Sequence, residues 1–253
     1  AGLTTPASAA RVNSNVRRHE MHHSIPPHEV YRTLMADAKI RILAAERVLN
    51  AKKPRTGFAA LDMEFVYLQI RRVIEDVTFG GLVREEARYA ALRGIEKTTN
   101  PRDHGDPKKD WQAPEILKRL VSLSPHALPV PYKDGKEVLP GLIRYDPQDI
   151  DVNHARLIDL YKRSGGFLHA TNPIGADFAA DVDSQRKRYA AAPMENRRSL
   201  AFLRKLLWQH AAITLGEHGN EDPRAPANPQ LAWLINFGTS LGPEVTLIHG
   251  VAA

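Results

Sequence analysis

Cysteine is absent from the 253-residue chain, which removes disulfide scaffolds, cysteine-ligated zinc or iron–sulfur sites and thiol nucleophiles from consideration. No stretch approaches the roughly 18 consecutive apolar residues that a membrane-spanning helix needs. The first residues, Ala1 to Val12, lack the charged-then-apolar order of a secretory signal, so the expected compartment is the cytoplasm. Aromatic residues are scarce at 7%, against 43% hydrophobic and 25% charged residues overall. That is the composition of an ordinary globular protein, large enough for one large domain or a core with an appendage. Any chemistry must come from histidine, carboxylates, hydroxyls or the basic side chains.

Basic side chains are in modest surplus. Lys and Arg number 35 against 29 Asp and Glu, a net charge of +6 and a sequence pI near 9.5. The balance leans toward an anionic partner such as nucleic acid, and a surplus of this size also serves solubility alone.

Periodicity predicts a mainly α protein, a helical bundle closed by a small C-terminal antiparallel sheet of two or three strands. Residues 1–27 have no sustained apolar period and read as a tail. The bundle occupies 28–210, with a proline-rich excursion at 124–150, and 211–253 form the sheet packed on it. Helices are expected over Glu29–Asn50, about Phe58–Val83, Arg84–Thr98 and Glu115–Leu123. Two more run from Asp151 to His169 and from Ala176 to His210, the last interrupted or kinked near Pro193. The helix from Phe58 is apolar on more than one side and belongs at the centre. Gly80-Gly81 mark a bend between it and its successor, and Asp134-Gly135 the turn of the excursion. Strands are expected at Ala212–Leu215, Leu231–Phe237 and Val245–His249.

Three constellations carry chemical potential. His19-Glu20-Met21-His22-His23 matches the H-E-x-x-H pattern, in which two imidazoles a helical turn apart hold a metal and the glutamate polarises bound water. Flanked by Arg17-Arg18 and Pro26-Pro27, with no third ligand in view, it reads better as a solvated, metal-sticky tail. A zinc hydrolase using His19, Glu20 and His23 is the remote alternative, and no metal site or cofactor is expected. In the central helix, the line Leu61, Phe65, Leu68 continues at helical spacing into Arg72, Glu75 and Phe79, placing charge on a face expected to be buried. Arg72 or Arg71 can pair with Glu75 within the helix. This is either a structural ion pair or the lining of a polar site between helices. The third is Arg163-Ser164-Gly165-Gly166-Phe167-Leu168-His169. Two helical glycines cost about 1–2 kcal/mol relative to alanines, which asks for a close helix approach or a bend. A bend would bring the His169 imidazole and the Arg163 guanidinium together. Those groups suit phosphodiester cleavage, with His as general acid/base and Arg against the phosphorane charge. Alternatively, His169 caps helix carbonyls and Arg163 lies at the surface.

The Arg-x5-His segment from Arg163 to His169, together with the helix Tyr67-Leu68-Gln69-Ile70-Arg71-Arg72-Val73-Ile74-Glu75, resembles the HEPN superfamily of helical bacterial proteins. More closely, it resembles uncharacterised bacterial proteins with a Leu-Gln-(Ile/Leu)-Arg-Arg/Lys helix and a later Leu-Tyr…Leu-His-Ala-x-Asn-Pro segment, here Leu160-Tyr161 and Leu168 to Pro173. It covers about residues 58–175. The resemblance implies a four-helix-type core that dimerises through the motif helices. In catalytic members it also implies a metal-independent endoribonuclease of toxin–antitoxin or phage-defence settings. On that reading Arg163, His169 and Glu75 are catalytic, Arg71, Arg72 and Lys162 contact RNA, and an antitoxin or other protein is a further partner. Ser164 follows the motif arginine, and the Gly165-Gly166 pair departs from the pattern. The rival reading is a non-catalytic helical interaction protein in which these residues are structural.

Overall fold

The computed structural model describes residues 25–100, 105–124, 126–139, 142–148, 150, 153–168, 177–215 and 229–250. Helix α1 (Pro27–Leu49) starts on a proline at the first turn, with Glu29 in that turn and Arg47 in the last, charges that complement the helix dipole. It buries Tyr31, Met35, Ala38, Lys39, Ile42, Ala45 and Leu49, one stripe at spacings of three and four. Before α2 (Ala59–Arg84), the Asp62 carboxylate accepts the backbone N–H groups of Arg55 and Thr56 and the Thr56 hydroxyl, fixing the turn. Burial raises the pKa of this carboxyl, but those donors outweigh it and hold the pKa below the usual range.

Helix α2 is the centre of the bundle. It packs against α1, against α4 (Ala113–Leu123), α5 (His154–Leu168) and α6 (Phe178–Leu207), and more lightly against α3 (Glu86–Thr99). The expected bend at Gly80-Gly81 does not occur, and the helix breaks at Glu85 instead. The glycines serve close approach: a Cβ on Gly80 would lie 2.8 Å from the Tyr31 ring, and one on Gly81 would lie 2.9 Å from the Leu120 side chain. Asp177 caps α6 by accepting the Ala180 N–H, and Pro193 lies inside the helix without ending it. Up to Ala191 the α6 side chains are at least partly exposed, and burial begins at Ala192.

The sheet has four antiparallel strands in the order β1-β4-β5-β6, rather than two or three. Three are the expected ones: β4 (Gln209–Leu215), β5 (Pro229–Asn236) and β6 (Thr246–Gly250). The fourth, β1 (Val130–Pro131), comes from the proline-rich excursion and pairs with Ala211 and His210 of β4. The rest of the excursion is a separate ladder of β2 (Lys136–Leu139) with β3 (Leu142–Arg144), so the chain reverses after Leu139 rather than at Asp134-Gly135. His210, Ala212, Trp233 and Ile235 face the main core, while Ile248 is exposed. A second cluster of Tyr89, Leu92, Ile116, Leu120, Leu123 and Ala127 joins α3 to α4. Among the described residues no helix is long and apolar enough to cross a membrane.

Candidate functional site

The surface between α2 and α5 holds three of the expected site residues, Arg71, Arg72 and Glu75. Helix α5 is continuous through Leu168, and both of its glycines face guanidinium groups. A Cβ on Gly165 would stand 3.0 Å from Arg71 Nη1, and one on Gly166 would stand 3.4 Å from Arg188 Nη1. Close approach, not a bend, is their structural role. Arg71 lies over the Tyr161 ring at 3.9 Å from its centroid and donates to the Tyr161 hydroxyl. That hydroxyl donates in turn to Glu75 Oε1 at 3.2 Å. Arg71 Nε is 3.4 Å from the same oxygen, and Arg72 Nη1 donates to Glu75 Oε2 at 2.9 Å. Glu75 is thus held by both arginines and a tyrosine, with no oxygen left bare. Burial is the main reason the Tyr161 hydroxyl has a raised pKa.

Arg72 itself is 57% exposed at its side chain, against 13% for Glu75, so the expected burial of this arginine is corrected. The apolar line leading to it is also on the outside. Phe58, Leu61, Phe65 and Leu68 are 67%, 46%, 37% and 39% exposed. Helix α2 carries several apolar stripes, and the one from Met63 through Tyr67, Ile70, Ile74 and Val77 took the core.

Arg163 and Lys162 are exposed on α5. Arg163 forms an ion pair with Asp159 one turn earlier in its own helix. His169 lies outside the described residues, as do His19, Glu20 and His23. Further along α5 the buried Phe167 stacks on Tyr67, centroids 3.9 Å apart, and meets Tyr189 edge-on at 5.3 Å. Tyr189 donates to Glu64, and Tyr67 makes a long 3.4 Å bond to Glu195. Burial, with Glu195 beside it, raises the Tyr67 pKa, against which Arg163 and Arg188 act in the opposite sense.

Sequence reasoning missed a second polar line on α2. Asp62, Gln69 and Asp76 recur every seven residues among Val66 and Val73, all buried. A polar residue repeating at that spacing on an apolar face is the signal that could have found them. Arg41 of α1 bonds Gln69 at 3.1 Å and its own neighbour Asp37 at 2.7 Å, and stands 3.5 Å from Asp76 Oδ2. That oxygen is buried without a hydrogen bond. Burial, aided by Asp37 and Glu75 and opposed by Arg41 and Arg72, pushes the Asp76 carboxyl up to about 7.

None of these residues lines the open depression of about 440 Å³ formed by Lys133, Asp134, Gln148, Ile150, Lys205 and Gln209. Its mixed charges and open shape make it a poor enclosure for chemistry. Compared with known proteins, the chain matches no family model, no curated protein and no solved structure.

Proposed function

We propose that the chain is a non-catalytic helical interaction protein whose outer α2 face docks an amphipathic helix with acidic flanks. The exposed stripe of Phe58, Leu61, Phe65 and Leu68 carries this reading. Large apolar side chains repeated along one helix face are costly to leave in water, and together they expose roughly 400 Å². That is about half of what each partner of a stable dimer contributes, which favours a short helical segment over a second copy of the chain. The flanks select the charge. Lys52, Lys53 and Arg55 are exposed at one end and Arg72 at the other, while Asp62 and Glu64 are engaged internally. The α2 N-terminus adds the positive end of its dipole. The ion pairs of Arg71, Arg72 and Glu75 are then structural, as is the Arg163–Asp159 pair.

The probe is a synthetic helical peptide with leucines at spacings of three and four and glutamates on both flanks. Binding near the micromolar range is expected, falling at least about tenfold with Phe65→Glu. A lysine-flanked version should bind more weakly. No binding, or binding that Phe65→Glu leaves unchanged, rejects the reading; sedimentation that reveals a dimer burying this face assigns it to a second copy.

A second reading has its own support: Lys162, Arg163 and Arg188 are exposed cations, and Arg163 and Arg188 act on the same Tyr67 hydroxyl, a basic set suited to RNA phosphates. On the HEPN resemblance, Arg163 and His169 would cleave RNA in a homodimer without metal, with an antitoxin as its protein partner. Cleavage of total RNA that survives chelator and falls about a hundredfold in both Arg163→Ala and His169→Ala would establish it; no cleavage leaves the docking reading.

A further inference from the structure

The two edges of the four-stranded sheet are finished differently. At one edge, β1 is only Val130–Pro131 and follows Pro129, so it offers few donors to a further strand. Beyond it, Arg84 donates to the Ile213 carbonyl of β4 at 3.0 Å. The other edge is β6, which among the described residues pairs with β5 alone. Proline, charge and bulges are the devices by which natural sheets keep an open edge from pairing. Strand β6 uses none of them: Thr246-Leu247-Ile248-His249-Gly250 holds no proline, lysine, arginine or carboxylate, and its ladder with β5 runs without a register shift.

Cross-strand register sets Val130 beside Ala211, Ala211 beside Leu234 and Leu234 beside Ile248. This apolar row crosses the sheet on the face away from Trp233 and Ile235. Val130, Ala211 and Leu234 are half-buried, and the row ends at Ile248, which is 51% exposed. A second β6 laid antiparallel about Ile248 sets Ile248 against its own copy, Leu247 against His249 and Thr246 against Gly250. No like charges face each other, and the row continues from Ile248 into Leu234 and Ala211 of the second copy. The contact is isologous, so it closes at two chains and leaves no open β6 edge.

We infer that β6 is a self-association strand: two copies of the chain pair their β6 edges antiparallel, in register about Ile248, to form one eight-stranded sheet. A foreign extended segment meets the backbone equally well; the second copy also supplies the aliphatic residue opposite Ile248. Pairing five residues covers roughly 300 Å² per copy, well under the about 800 Å² of a standard interface. Main-chain hydrogen bonds across the edge, about four to six of them, supply what side-chain area alone does not. The dimer is therefore weak and concentration-dependent, with a Kd of about 10–100 µM. It does not depend on the docking face of α2.

Sedimentation equilibrium of the full chain from about 5 to 500 µM should show the mean mass rising from 28.2 kDa toward twice that value. Ile248→Lys sets two ammonium groups against each other at the two-fold axis and should raise the Kd at least about tenfold. Its thermal midpoint in dilute solution should match wild type, because the side chain is half in water. The lack of cysteine makes cross-linking selective. Ile248→Cys should form an intermolecular disulfide under mild oxidation, since directly opposed Cα atoms of an antiparallel pair are about 4.5–5.5 Å apart. Thr246→Cys should not, because its two copies lie at least about 13 Å apart along the strands. The inference is overturned by a chain that stays monomeric at every concentration, or by a dimer in which Ile248→Cys and Thr246→Cys cross-link equally. A dimer that Phe65→Glu disrupts and Ile248→Lys leaves intact also overturns it, and assigns the contact to α2.

Discussion

Glu75 and Arg72 are one helical turn apart and belong to different surroundings. Glu75 is nearly enclosed between Arg71, Arg72 and Tyr161, whereas most of Arg72 is in water. Removing the carboxylate leaves Arg71 stacked on Tyr161 with its charge uncompensated, so Glu75→Ala should cost about 2–4 kcal/mol. Arg72→Ala removes one exposed partner and should cost less than about 1 kcal/mol. Urea unfolding of both variants checks this, and equal losses would mean the carboxylate is not held as described. The i,i+3 and i,i+4 pairing was legible in the sequence because helix geometry alone sets it. Which arginine turns inward was not, because that choice is made by Tyr161 and the bare backbone of Gly165 on a helix about 90 residues away. The same holds for Asp76: its spacing is visible in the sequence, and its lack of a hydrogen bond appears only when α1 supplies Arg41 at 3.5 Å.

At the scale of elements, apolar period read the helices and the C-terminal strands to within a few residues. It failed where period carries no direction. A helix with several apolar stripes does not say which one its neighbours will cover, and α2 left the Phe58–Leu68 stripe outside. Strand β1 was hidden for another reason: two residues, one of them proline, have no alternation to detect, and only the open edge of β4 makes them a strand. Glycines divide in the same way. Gly94 is exposed on α3 with nothing within 4 Å of a built Cβ, whereas Gly80 would push a Cβ to 2.8 Å from the buried Tyr31 ring. Gly94→Ala should therefore stabilise by about 1 kcal/mol through helix propensity, and Gly80→Ala should destabilise by about 1–3 kcal/mol through overpacking of α1 on α2. Thermal midpoints moving in the same direction for both would contradict this division between a free helix face and a contact face.

Across the whole molecule, two buried titratable groups oppose one another. His210 Nδ1 donates to the Leu207 carbonyl at 2.8 Å, which leaves Nε2 to accept from the Tyr31 hydroxyl at 2.9 Å. This imidazole is held neutral, its pKa lowered to about 4, chiefly by burial. Between pH 4 and about 6.5 the unfolded chain takes up a proton there that the folded one refuses, so lowering the pH through this window costs about 3 kcal/mol. Asp76 behaves in the opposite sense. With its folded pKa raised to about 7, the folded chain keeps a proton that the unfolded one has lost above about pH 4, so its stabilisation fades as pH rises to 7, by about 4 kcal/mol. The two windows overlap, and the slopes they impose on stability nearly cancel from pH 4 to 6.5. Wild type should therefore show an almost flat denaturant midpoint across that range. Asp76→Asn should unmask the histidine and become more stable with rising pH. His210→Gln, which can still donate to Leu207 and accept from Tyr31, should unmask the carboxyl and become less stable. Parallel pH profiles for all three proteins would show that neither group titrates in the folded state as its surroundings require. The cancellation places the polar line between α1 and α2 and the Tyr31–His210 contact between α1 and the sheet in one thermodynamic balance, with Arg41 facing the first and Tyr31 the second from the same helix.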